Sequence, residues 1–101
     1  MNSFNMEKAR REEMRWLVLF ALREAQEVGL SEHLIRVVMV DVMPDATELE
    51  IRRVLDYLAE RKLISIEKNR PVWFAKIGRH GIDVAEYTVE CDPGIARPRK
   101  W

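Results

Sequence analysis

Arginines and lysines beside a polar turn are the residues of this sequence best suited to chemistry, and that chemistry is the holding of anions. Lys68, Asn69 and Arg70 stand together before Pro71, with Lys76 and Arg79 a few positions on. Ammonium and guanidinium groups on a turn can grip phosphate oxygens. Thr47, Glu48, Arg52 and Arg53 form a second group, at the start of a predicted helix. There the two arginines are suited to a phosphate or to a guanine edge. Asp45, Glu48 and Glu50 oppose that use, because duplex DNA carries about one negative charge per 1.7 Å of axis. Carboxylates in a first helical turn also serve the helix itself, through capping and the helix dipole. That explanation covers Glu50 better than Glu48.

Bond-making chemistry has little to stand on. The sequence contains no Gly-rich phosphate loop, no H-E-x-x-H and no G-x-S-x-G, and His33 and His80 lack neighbours that would complete a metal site or a triad. Cys91 is the only cysteine, which excludes an intramolecular disulfide and a cysteine-based zinc cluster. The expectation is a protein with no enzymatic activity, no cofactor and no metal.

At 101 residues the chain has room for one domain, and 48% hydrophobic with 34% charged residues is the balance of an ordinary globular protein. Trp16 to Leu22 and Val37 to Val40 are the longest apolar stretches. Both are far shorter than the roughly 20 residues a membrane helix needs, and charges occupy the place of a signal peptide's apolar segment. The expected location is cytoplasmic, away from membranes. With 17 bases and 17 acids, net charge offers no global attraction to a polyanion, so the distribution decides. Leu63 to His80 holds four bases against one acid, Gly81 to Ala96 holds four acids and no base, and Arg97, Arg99 and Lys100 add a basic end before Trp101.

These side chains must be positioned by a few short elements. Met14, Leu17, Val18, Ala21, Leu22, Ala25 and Val28 recur at helical spacing and predict a first helix over Met6 to Val28, stopped by Gly29. Ser31 can cap a second helix, on which Leu34, Val37 and Val38 share the apolar face and Glu32, Arg36 and Asp41 lie elsewhere, although the β-branched run Ile35 to Val42 also fits a strand by periodicity alone. Pro44 ends it. Thr47 and Glu50 fit a capping box for a third helix with Ile51, Val54, Leu55 and Leu58 inward. From Ile64 the period becomes two, Lys68 to Pro71 supplies a turn, and Val72 to Ile77 returns as a strand. Trp73 is expected to pack this hairpin on the core. Arg79 to Val89 predicts a short last helix. The domain spans residues 1–91, and 92–101 is an extended basic tail.

Three helices followed by a hairpin, with only Met43 to Ala46 between the second and third helices, resembles a winged helix-turn-helix. The expected class is mainly α with a small β-hairpin: a three-helix core, a two-stranded wing and a short C-terminal helix. Leu55, Leu58, Glu60-Arg61-Lys62 and Leu63-Ile64 look like a recognition helix entering the first wing strand. Trp73-Phe74-Ala75-Lys76-Ile77, Gly81-Ile82-Asp83-Val84-Ala85 and Pro93-Gly94-Ile95-Ala96-Arg97-Pro98 are similar to short winged-helix proteins of Mu-like phages and prophages. Gly78 stands where such proteins often have Thr before the last helix.

The resemblance implies a DNA-binding module, a small transcriptional or phage-lifecycle regulator. Thr47, Glu48, Arg52 and Arg53 would approach the major groove, with Lys68, Asn69, Arg70 and Lys76 on the backbone of double-stranded DNA. The alternative is a winged helix that binds no DNA and serves as an adaptor for a phage or host protein. Trp16, Leu19 and Phe20 lie outside the first helix's main stripe, so that helix needs a second partner, either the C-terminal helix or the other subunit of a homodimer.

Overall fold

The computed structural model describes residues 5–100. Helix α1 runs Met6–Ala25, started by the Asn5 carboxamide, which accepts the Lys8 N–H at 3.0 Å. It ends where Gln26 takes a positive φ of 55° and a 3₁₀ turn, Gln26–Val28, leads into Gly29. Gly29 has φ +76°, and a Cβ there would stand 2.6 Å from the Ala75 carbonyl oxygen. Only glycine lets the backbone pass so close to its neighbour. That close pass creates β1, Leu30–Ser31, an element the sequence did not announce.

Strands β2, Ile64–Glu67, and β3, Phe74–Ile77, form the expected hairpin, and β1 adds to its other edge. The sheet is antiparallel in the order β1-β3-β2, with Leu30 opposite Ala75 and Ile66 opposite Ala75 on the far side. Helix α2, Glu32–Met39, follows directly, its N-terminus capped by the Ser31 hydroxyl. Helix α3, Glu48–Glu60, carries the expected reciprocal capping box between Thr47 and Glu50. It buries Ile51, Val54, Leu55 and Leu58.

The orientation of α2 corrects the sequence reading. Leu34, Val37 and Val38 do share a face, but it points outward, while Ile35 and Met39 enter the core together with Glu32. Within Glu32–Met39 the apolar side lies away from Glu32 and Arg36, so the hydrophobic pattern alone selects the side that ends up outward. The ion pair between Glu32 and Arg52 of α3 turns the other side inward.

Helix α4, Arg79–Ala85, stops short of the predicted Val89 because Tyr87 takes φ +64° and turns the chain. Gly78 caps it without a side-chain hydrogen bond. The helix lies against the start of β2, where a Cβ on Gly81 would collide with the Leu63 carbonyl oxygen.

Residues 86–100 lack regular structure yet pack on α1, which corrects the expectation of an extended tail from 92. Ile95 is buried in the core, and Ala96 donates its N–H to the Glu12 carbonyl at 3.0 Å. Arg97 donates to the carbonyls of Val84 and Val89 at 2.9 Å each, and the Tyr87 hydroxyl donates to the Pro98 carbonyl at 2.6 Å. Trp101 lies outside the described residues.

This segment is the second partner that α1 required. Trp16 is 8% exposed and Leu19 fully buried within the protomer, with the Tyr87 ring edge-on to Trp16 at 6.2 Å. Trp16 and Leu19 are therefore core residues and present no subunit interface. Phe20 alone of the three stays partly open, tilted against Trp16 at 5.8 Å. The described residues thus form four helices and a small three-stranded antiparallel sheet, an arrangement compatible with a winged helix. Among them, no helix is long and apolar enough to cross a membrane.

Candidate interaction surfaces

Arg52 is committed to the fold. Its guanidinium donates two hydrogen bonds to Glu32, both 2.7 Å, and a third to the Pro71 carbonyl at 3.1 Å, while lying 4.5 Å from the centre of the Trp73 ring. Glu32 is only 3% exposed and also accepts the Trp73 N–H at 2.7 Å. Hydrogen bonding from Arg52, helped by the Trp73 N–H, holds the Glu32 carboxyl below the usual glutamate range although burial pushes the other way. One carboxylate thus ties α2, α3 and the β2–β3 turn together. A buried charge must face its partner, and that turns the Glu32, Ile35, Met39 side of α2 inward.

The outward stripe of α3 is then Glu48, Leu49, Arg53, Asp56 and Glu60, three acids against one base. Thr47 serves as the cap. Arg53 is exposed and makes no ion pair or hydrogen bond with another described residue. It borders a groove of about 430 Å³ between α1 and α3 with Arg10, Arg11 and Arg15, over Met14 and Val54. Arg10 is occupied by Glu50 at 2.9 Å and Asp45 at 3.1 Å, and Arg15 by the Gly94 carbonyl and the Tyr57 ring. This groove, with four arginines and the acids Glu7 and Glu50 in its lining, is assembled from two helices distant in sequence.

The cations of the turn are also engaged. Lys68 pairs with Asp56 at 2.7 Å over the Trp73 ring, and Arg70 with Glu67 at 3.1 Å. Both pairs are exposed, so each contributes little in water and opens easily. The side chains of Asn69 and Lys76 are exposed and pair with no other described residue. Trp73 packs under this turn, as expected.

The largest departure from an ordinary polar surface is the outer side of α2. Leu34, Val37, Val38, Val40 and Val42 are 48%, 52%, 53%, 49% and 58% exposed in one short stretch of chain. Contiguous exposed apolar patches of more than a few hundred Å² mark contact sites on soluble proteins. His33 stands at one end of the stripe and Asp41 at the other, both exposed and neither paired with another described residue. The signal lay in the β-branched run itself, which has more apolar positions than one helix face can bury.

A polar cluster at the opposite end of α3 anchors the C-terminal segment. Asp92 accepts from the Tyr57 hydroxyl at 2.8 Å and from Arg61 at 2.9 Å, and Arg15 and Arg61 lie 3.6 and 3.5 Å from the centre of the Tyr57 ring. The Gly94 N–H, then Tyr57 and Arg61, keep the Asp92 carboxyl below its usual range. Burial pushes the Cys91 thiol up, which makes it a poor nucleophile. Among the described residues, no group of three or more His, Cys, Asp or Glu could hold a metal ion. Comparison of the chain with family models, curated proteins and solved structures gave no match.

Proposed function

We propose that the chain is a winged-helix-like protein-interaction module whose working surface is the outer face of α2. The carrying observation is the run of half-exposed apolar residues, Leu34, Val37 and Val38 on a helix whose other side already fills the core, continued by Val40 and Val42 in the turn after it. Holding such a stripe in water is unfavourable by about 25 cal/mol per Å², a cost that burial against another protein removes. The similarity to short phage winged-helix proteins favours a place in a phage-related complex. A photo-crosslinking amino acid at Val38 is expected to give a discrete protein adduct in producing cells, and the same group at Arg79 on α4 is expected to give none. Equal labelling at both positions, or none at Val38, would overturn the reading.

DNA binding is the second reading, favoured by Lys68, Asn69, Arg70 and Lys76 on one hairpin and by the unpaired Arg53. Against it stand the acidic stripe of α3 and the commitment of Arg52 to Glu32. We expect no binding of a labelled random-sequence duplex tighter than about 100 µM at either 50 or 200 mM salt, the weak end of non-specific affinities. Micromolar binding that falls steeply with salt and disappears in Lys68→Glu/Arg70→Glu would instead establish the DNA reading.

A further inference from the structure

From the arrangement of charge and apolar surface on α2, we infer that its occupant is a second copy of this chain, with the two α2 helices packed antiparallel about a two-fold axis near Val37 and Val38. The inference rests on the outer face of α2 being a contact surface, and it names the partner. Leu34, Val37 and Val38 follow one another at spacings of three and one and so lie on a single face of α2, and Asp41 stands in the turn that directly follows the helix. A two-fold contact requires a surface complementary to itself. This one has that property: an imidazole, His33, at its start, a carboxylate, Asp41, at its end, and the apolar Leu34, Val37 and Val38 between them.

An antiparallel copy brings each His33 to the level of the partner's Asp41, twice over. In a parallel arrangement each would instead face its own kind. Both side chains lack an ion-pair or hydrogen-bond partner among the described residues, so no existing interaction must be broken. Val37 and Val38 at the centre carry no long side chain and let the helix axes approach closely. With both histidines neutral the formal net charge is zero, which removes long-range repulsion between copies. Two facing stripes bury less than the roughly 1,200 Å² of the smaller stable interfaces, so the association is weak and concentration-dependent.

Sedimentation velocity of the full chain from about 1 to 500 µM reads this directly. The weight-average mass should rise from one chain towards two across that range, and Val37→Lys should keep it at one. Val37 is half exposed, so the variant should fold, and circular dichroism with a melting curve checks that it does. His33→Asp and Asp41→Arg should each weaken association about threefold or more, and the double variant, with the charges exchanged, should recover most of the loss.

A mass of one chain at every concentration, or a dimer unchanged by Val37→Lys, overturns the inference. Single charge variants without a rescue overturn the antiparallel arrangement. If the chain stays monomeric while the Val38 crosslinker yields an adduct with a different protein, self-association is wrong and the contact surface stands. If both experiments are negative, both ideas fall.

Discussion

Arg52→Ala should lower the melting temperature by roughly 10–20 °C. The variant leaves Glu32, 3% exposed, with the Trp73 N–H as its remaining donor. Stranding a buried charge is costlier than losing the attraction of the pair, and partial solvent access to the guanidinium in the native protein keeps the effect from the top of that range. Replacing both residues, as Glu32→Met/Arg52→Met, should recover most of the loss, since the remaining defect is one unsatisfied N–H.

The pH dependence provides a second readout. Glu32 in the folded chain titrates below its ordinary value of 4.5. A carboxyl with a depressed folded pKa stabilises fully above the unfolded value, and that contribution is lost as pH falls through the folded one. The wild type should therefore lose stability below about pH 4.5, and the gap between wild type and Arg52→Ala should close over the same interval. Thermal melts at a series of pH values measure this. A gap of constant size would mean that the ion pair does not hold α2 in its orientation.

Trp16→Glu should unfold the protomer, with an expected cost of about 3–5 kcal/mol for emptying an aromatic site and a further penalty for placing a carboxylate there. The Trp16 ring is held between Phe20 and Tyr87, beneath the segment that returns along α1. Loss of the cooperative melt should be the same at all protein concentrations. A folded monomer emerging from a concentration-dependent dimer would show instead that this face binds another subunit. Phe20→Glu is the control: its ring is partly open, so it should cost only the tilted contact with Trp16, about 0.5–1.5 kcal/mol. Val37→Lys, on the outer face of α2, should leave the melt nearly unchanged.

The sequence by itself determined the elements whose causes are local. Ser31 and Thr47 cap helices because a hydroxyl can reach an N–H three residues on, Ile64 and Ile66 alternate, and the stripe of Ile51, Val54, Leu55 and Leu58 leaves one inward face for α3. The basic turn and the absence of catalytic motifs were equally legible. What only the tertiary structure decided depends on residues far apart in the chain. Strand β1 is two residues long, too short for a period, and exists because Gly29 passes beside Ala75. The C-terminal segment reads as a polar tail until Ile95, Asp92 and Arg97 find their places on α1, α3 and α4. The side of α2 facing the core runs against its own pattern, whose most apolar face is Leu34, Val37 and Val38; Arg52, twenty positions away, fixed it by claiming Glu32. That one long-range pair removed an arginine from the candidate DNA contacts and turned Leu34, Val37 and Val38 out to solvent, because a buried carboxylate must follow its counter-charge, whereas a valine can be left half in water.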